Sequence, residues 1–203
     1  VGVLIQILFW ISTGMLIPVI ILLLAAFMWA LLLLGDLYGV YAARLKRSQD
    51  LERLIRDVTT TRINYITLEE YIKNSSKLGK HIYQLRDCNW HPVHGEKILA
   101  DFDLLSLKEV EGATSLMRLG PMLGLMGTLI PMGPALVGLA AGDIASMALN
   151  MQVAFSTTVI GIFIGAVGFL VQLVKRRWLN SDHANLRYLY DLSQEEMTHE
   201  KNS

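Results

Sequence analysis

The sequence has little cysteine, little charge and no excess of either sign. Its one cysteine, Cys88, excludes an intrachain disulfide framework and leaves the redox compartment undetermined. Eighteen basic residues balance eighteen acidic ones, so there is no electrostatic footprint for nucleic acid. There is no strand-like alternation, internal repeat or low-complexity segment. No nucleophile and base pairing, phosphate loop or dinucleotide fingerprint is present, so no enzymatic activity or cofactor is expected. Charged residues make up only 18% of the chain against 53% hydrophobic, with a mean hydropathy of +0.41, which is the balance of a membrane protein.

Three runs reach the roughly 20 residues that a helix needs to cross about 30 Å of hydrocarbon: Gly14 to Leu34, Leu116 to Leu139 and Leu149 to Val174. The first extends back to Val1, with Gln6, Trp10, Ser12 and Thr13 where a bilayer interface would lie, so Val3 to Thr13 is expected to be a surface-lying helix. A cleavable signal peptide is the competing reading. Against it stand the absence of a basic leading region, the length of the run and the lack of a cleavage site before Asp36. The chain begins at Val1 rather than Met, so a short preceding piece is expected to be missing from it.

Cations set the expected topology. Arg44, Lys46 and Arg47 follow the first span, Lys108 and Arg118 precede the core of the second, and Lys175, Arg176 and Arg177 follow the third, whereas Ala140 to Ala148 carries only Asp143. The N-terminus is expected outside the cell membrane and the C-terminus in the cytoplasm. Between the first two spans ARLKRSQDLERLIRDV and EKILADFDLLSLKEVEGATSLMRLG continue the helical spacing, and CNWHPVHG, residues 88–95, has the punctuation of a turn. The expected fold is all-α: an outer interfacial helix and first span (1–41), a helical cytoplasmic domain (42–115) into which two spans extend, the second and third spans (116–175), and a cytoplasmic C-terminal helix (176–203).

The cores of the spans contain no Asp, Glu, Lys, Arg or His. Proton relays through a bilayer ordinarily use an ionisable side chain, so if ions cross here another chain must supply the carboxylate. Small and hydroxyl residues are there instead. At 100° per residue, Ala154, Thr158, Gly161, Gly165, Gly168 and Gln172 share one narrow face of the third span, with Thr157 at its margin and Ser156 behind. Gly120, Gly124, Gly127, Pro131, Pro134, Ala135 and Gly138 form a matching stripe on the second, flanked by Thr128. The six glycines 120, 124, 127, 161, 165 and 168 are expected to let helices approach closely. The hydroxyls can bond to carbonyls three or four residues earlier, which is the whole expectation for Ser156 and its partner Gln152. Thr128 and Thr158 border a stripe near mid-membrane and, with Thr157, are candidates to line a pore. Pro131 and Pro134 are expected to break or kink the second span.

RLGPMLGLMGTLIPM, residues 118–132, followed by AFSTTVIGIFIGA, residues 154–166, resembles the MotA/TolQ/ExbB proton-channel family. Gly124, Gly127, Thr128, Thr158 and Gly161 stand at the motif positions. The resemblance implies a homopentameric ring around a dimer of a single-span partner of the ExbD/TolR/MotB kind, which brings one membrane aspartate per helix to face Thr128 and Thr158. It further implies a motor of the bacterial inner membrane that couples proton or sodium flow to work in the envelope. Val153 stands where family members often carry Glu, and the proline expected near Val167 is missing. The alternative is a non-conducting scaffold or permease-type subunit.

Three polar features are read without a ligand. Cys88, His91 and His94, with Asp87, have metal-ligand residue types but not four ligands at structural-zinc spacing, and fit a polar turn. Asp143 is expected to cap the third helix rather than serve as an ion-entrance carboxylate. Lys175 to Trp178 fit an interfacial anchor.

Overall fold

The computed structural model describes residues 2–60, 78–88 and 90–201. They form five helices: α1 (Gly2–Gly14), α2 (Leu16–Thr60), α3 (Leu78–Asp87), α4 (Pro92–Ala140) and α5 (Ile144–Lys201). Among the described residues there is no strand. Three stretches, Gly2–Ala42, Pro92–Ala140 and Ile144–Glu195, are long and apolar enough to cross a membrane. At 1.5 Å per residue, α2, α4 and α5 measure roughly 70–90 Å, at least twice the hydrocarbon thickness of a bilayer. The chain is thus an all-helical membrane protein whose helices outrun their apolar segments.

Local chemistry explains where the helices stop. Pro18 has no N–H to give the carbonyl of Gly14 and its ring crowds that carbonyl, so the leading apolar run divides at Met15 into α1 and α2. The Met15 N–H is shared between the carbonyls of Ile11 and Ser12, both at 3.1 Å. Between α4 and α5 the chain turns through Ala141, Gly142 and Asp143. Gly142 takes the left-handed conformation (φ 76°), its N–H bonds to Leu139 at 3.1 Å, and the Asp143 N–H bonds to Gly138 at 2.9 Å. These are the two bonds of a Schellman ending. Asp143 then opens α5: its Oδ1 accepts the Ser146 N–H at 2.9 Å. The capping role expected of it is present.

Pro131 and Pro134 do not interrupt α4, which runs unbroken through them and Pro121. The break expected there does not occur because two prolines withdraw only the bonds to Gly127 and Ile130, while flanking bonds and packing around the fully buried Pro131 hold the turn.

The chain divides into two compact units. The first is Val1–Asp36 with Glu111–Leu173. Here α2 buries Val19, Leu23 and Ala30, Phe27 lies 5.6 Å from Phe163 ring to ring, and Phe9 of α1 reaches Gly133. The second is Leu37–Val110 with Val174–Ser203. Its core joins Leu78, Ile82 and Leu85 of α3 to Leu99 and Phe102 of α4 and Leu186, Leu189 and Tyr190 of α5. The connection from α3 to α4 is shorter than the turn expected over 88–95, because Pro92 opens α4 at a position where no N–H is needed. Gly95 lies inside α4, with the Tyr190 ring seated where its Cβ would be, and the Tyr190 hydroxyl donates to the Pro92 carbonyl at 3.0 Å.

Candidate functional site

The glycine stripes of α4 and α5 meet within the first unit as an antiparallel pair in backbone contact. A Cβ on Gly161 would lie 2.6 Å from Gly124 Cα and 2.7 Å from the Gly120 carbonyl oxygen, and one on Gly120 would lie 2.8 Å from the Gly161 oxygen. Real Cβ atoms do not approach backbone so closely, so these positions admit no side chain. Gly165 receives the ring of Pro121, and Gly168 faces the backbone of Met117 and Ala113. Gly127 faces Thr157, with 2.6 Å from its hypothetical Cβ to both Cβ and Oγ1 of that residue. All six glycines singled out in the sequence therefore lie on one contact line. Their partners Pro121, Met117 and Ala113 were not singled out; only the antiparallel register of the two stripes could have pointed to them.

The hydroxyls sit around this contact in three different settings. Thr157 is 5% exposed, closed against Gly127, and its Oγ1 is within bonding distance of the carbonyls of Val153 (3.0 Å) and Ala154 (2.9 Å). Thr158 is half-buried and donates to the Ala154 carbonyl at 3.0 Å, while half-buried Thr128 donates to Leu125 at 2.7 Å. Ser156 faces outward and makes the bond to the Gln152 carbonyl expected of it, at 2.8 Å. Each hydroxyl thus relieves part of its polarity on its own helix. Of the three candidates, Thr128 and Thr158 keep accessible surface and Thr157 is enclosed.

Around the paired stripes the outer faces are apolar. Leu119, Met122, Leu125, Leu129, Leu136 and Val137 of α4, and Phe155, Val159, Ile162 and Phe169 of α5, are all exposed. A single chain in water would not leave such surface uncovered; lipid or other subunits must cover it.

Cys88, His91 and His94 stand together at the α3 to α4 connection, with the two histidine rings 5.3 Å apart. Among the described residues no group of three or more His, Cys, Asp or Glu side chains is placed to hold a metal ion.

Two membrane helices welded by glycine, carrying hydroxyls but no charge in their cores, define a polytopic helical membrane protein. The sequence model of the MotA/TolQ/ExbB proton channel family matches residues 107–185, which encloses the glycine contact of α4 and α5 and all three candidate threonines. No curated protein and no solved structure matches the chain.

Proposed function

We propose that this chain is the proton-conducting subunit of an ion-motive-force-driven motor of the cell envelope. In this reading five copies form a ring in the inner membrane around a single-span partner of the ExbD/TolR/MotB kind. Each chain has its N-terminus outside and its C-terminus in the cytoplasm, and residues 42–115 and 176–203 form a helical cytoplasmic domain. The observation that carries the reading is the family match over residues 107–185, centred on two helices whose apolar cores lack any ionisable group.

The division of chemistry follows from that absence. The partner's membrane carboxylate binds and releases the proton, because no side chain in these cores can. Thr128 and Thr158 face that carboxylate with their accessible hydroxyls. Thr157, enclosed against Gly127, borders the pore from between the two helices and fixes their separation. The glycine contact makes α4 and α5 one rigid wall, so that movement driven by proton flow falls on the partner. Without catalytic groups, the chain is proposed to have no enzymatic activity.

Flux through proteoliposomes containing this chain and a single-span partner with an intramembrane Asp tests the proposal. Proton uptake that requires both chains, and that Asp, supports it; uptake equal to empty vesicles overturns it. One observation favours the second reading, a non-conducting scaffold: the hydroxyls of Ser156, Thr157, Thr158 and Thr128 all have carbonyl partners on their own helix. A scaffold would assemble with its partner and show no flux.

A further inference from the structure

The apolar run of α5 ends at Val174 and is followed at once by Lys175, Arg176, Arg177 and Trp178. As isolated membrane anchors, these side chains would each extend separately toward the interface. The second unit arranges them otherwise. The Trp178 ring stacks on Tyr41 of α2, with centroids 6.0 Å apart and planes 26° from parallel, so the two helices are bridged by an aromatic pair. Trp178 is half-buried in consequence, whereas Tyr41 and, one turn earlier on α2, Tyr38 are exposed. Lys175, one turn before Trp178, is only 8% exposed, and Arg176 and Arg177 between them are exposed.

We propose that this α2 and α5 surface, Tyr38, Tyr41, Arg176, Arg177 and Trp178, is a binding site for the headgroup of an anionic phospholipid. Charge and shape choose the occupant. The two guanidiniums offer planar donor forks that match phosphate oxygens. The aromatic pair supplies an amphipathic floor of the kind that sits at headgroup level. The one nearby acid on the same helix, Asp182, lies a turn beyond Trp178 and is half-buried. A zwitterionic headgroup brings its own ammonium to the arginines and gains little. The site also lies where a lipid must end: the long apolar run of the helix stops at Val174, and the cations Lys175, Arg176 and Arg177 follow. Basic pockets between membrane helices are a recurrent form of lipid recognition. This inference needs only the membrane class of the protein, and its test does not read ion flux, so it stands or falls apart from the conduction proposal.

Native mass spectrometry of the full chain in detergent, with phosphatidylglycerol or phosphatidylethanolamine added, is the test. Wild type is expected to retain phosphatidylglycerol with a preference on the order of thirtyfold, the contribution of two cations near an anionic headgroup. The Arg176→Gln, Arg177→Gln double variant should retain the two lipids about equally, while Lys97→Gln, an exposed cation elsewhere in the same unit, should keep the preference. If the double variant does not fold, wild type and Trp178→Phe are compared in vesicles containing brominated phosphatidylglycerol, where quenching of the Trp178 share of fluorescence supports the site. Equal retention of both lipids by wild type, an unchanged preference in the double variant, absence of Trp178 quenching, or displacement of phosphatidylglycerol by inorganic phosphate alone would each overturn it.

Discussion

Gly127 of α4 and Thr157 of α5 compete for the same space: the Thr157 Cβ and hydroxyl oxygen lie 2.6 Å, and its methyl 3.1 Å, from where a Cβ on Gly127 would stand. The apolar exclusion of side chains along the rest of the contact has the same origin but a harder neighbour. At Gly161 the obstructing atoms are the Cα of Gly124 and the carbonyl of Gly120, which cannot turn aside.

That difference orders three alanine substitutions. Gly161→Ala should destabilise most, at or above the roughly 1–3 kcal/mol of an overpacked core, because helices must separate. Gly127→Ala should cost less, since Thr157 can change position at the expense of its bonds to Val153 and Ala154. Gly39→Ala, with nothing within 4 Å of its Cβ, should stay within about 0.5 kcal/mol of wild type. Thermal unfolding in detergent checks the order, and a Gly161→Ala protein as stable as Gly39→Ala would contradict the described contact.

Asp143 separates a cap from an ion-entrance carboxylate. Asp143→Asn keeps a side-chain oxygen for the Ser146 N–H, so both stability and flux should be close to wild type. Asp143→Ala should lower stability by about 1 kcal/mol. Reduced flux in the Asn variant at unchanged stability would give the carboxylate a role in ion entry.

Replacing Thr128 or Thr158 with Val preserves shape and removes the hydroxyl. Under the proposed function each should lower reconstituted flux several-fold, on the order of the 1 kcal/mol of a single hydrogen bond, while assembly persists. Ser156→Ala, whose outward hydroxyl bonds only to Gln152, should leave flux intact. Equal, non-zero flux in all three variants and wild type would remove these hydroxyls from the conduction path, and no flux in any of them would favour the scaffold.

The orientation is checked at the α4 to α5 turn. Ala141 is exposed there, so Ala141→Cys in a Cys88→Ser background should react with an impermeant maleimide added to intact cells. Reaction only after permeabilisation would reverse the proposed topology.

The spans and the two stripes were legible because period and composition are local properties of the chain. Ser156 and Asp143 were legible for the same reason, each having its partner within four residues. Gly95 was not: it looked like turn punctuation, and its need to be glycine comes from Tyr190, a residue far along the chain. Nor was the distinction between Thr157 and Thr158. Both lie close to one stripe on a helical wheel, and only the position of the neighbouring helix decides which is enclosed. Of the break or kink expected at Pro131 and Pro134, the break does not occur, for a related reason: whether a proline interrupts a helix depends on the packing that surrounds it.

The Ala154 carbonyl, which receives both Thr157 and Thr158, would also determine how Thr158 met an acid placed beside it. With its proton turned inward, the Thr158 oxygen offers only lone pairs, and Thr128, bonded to Leu125, does the same. A protonated carboxylic acid can donate to such an oxygen, whereas a carboxylate meets electron density and gains nothing until a threonine gives up its backbone bond, a change of about 1 kcal/mol. Under the proposed function the two hydroxyls would therefore favour the neutral state of a partner acid at no cost in charge, a preference for protonation state held by side chains that never titrate.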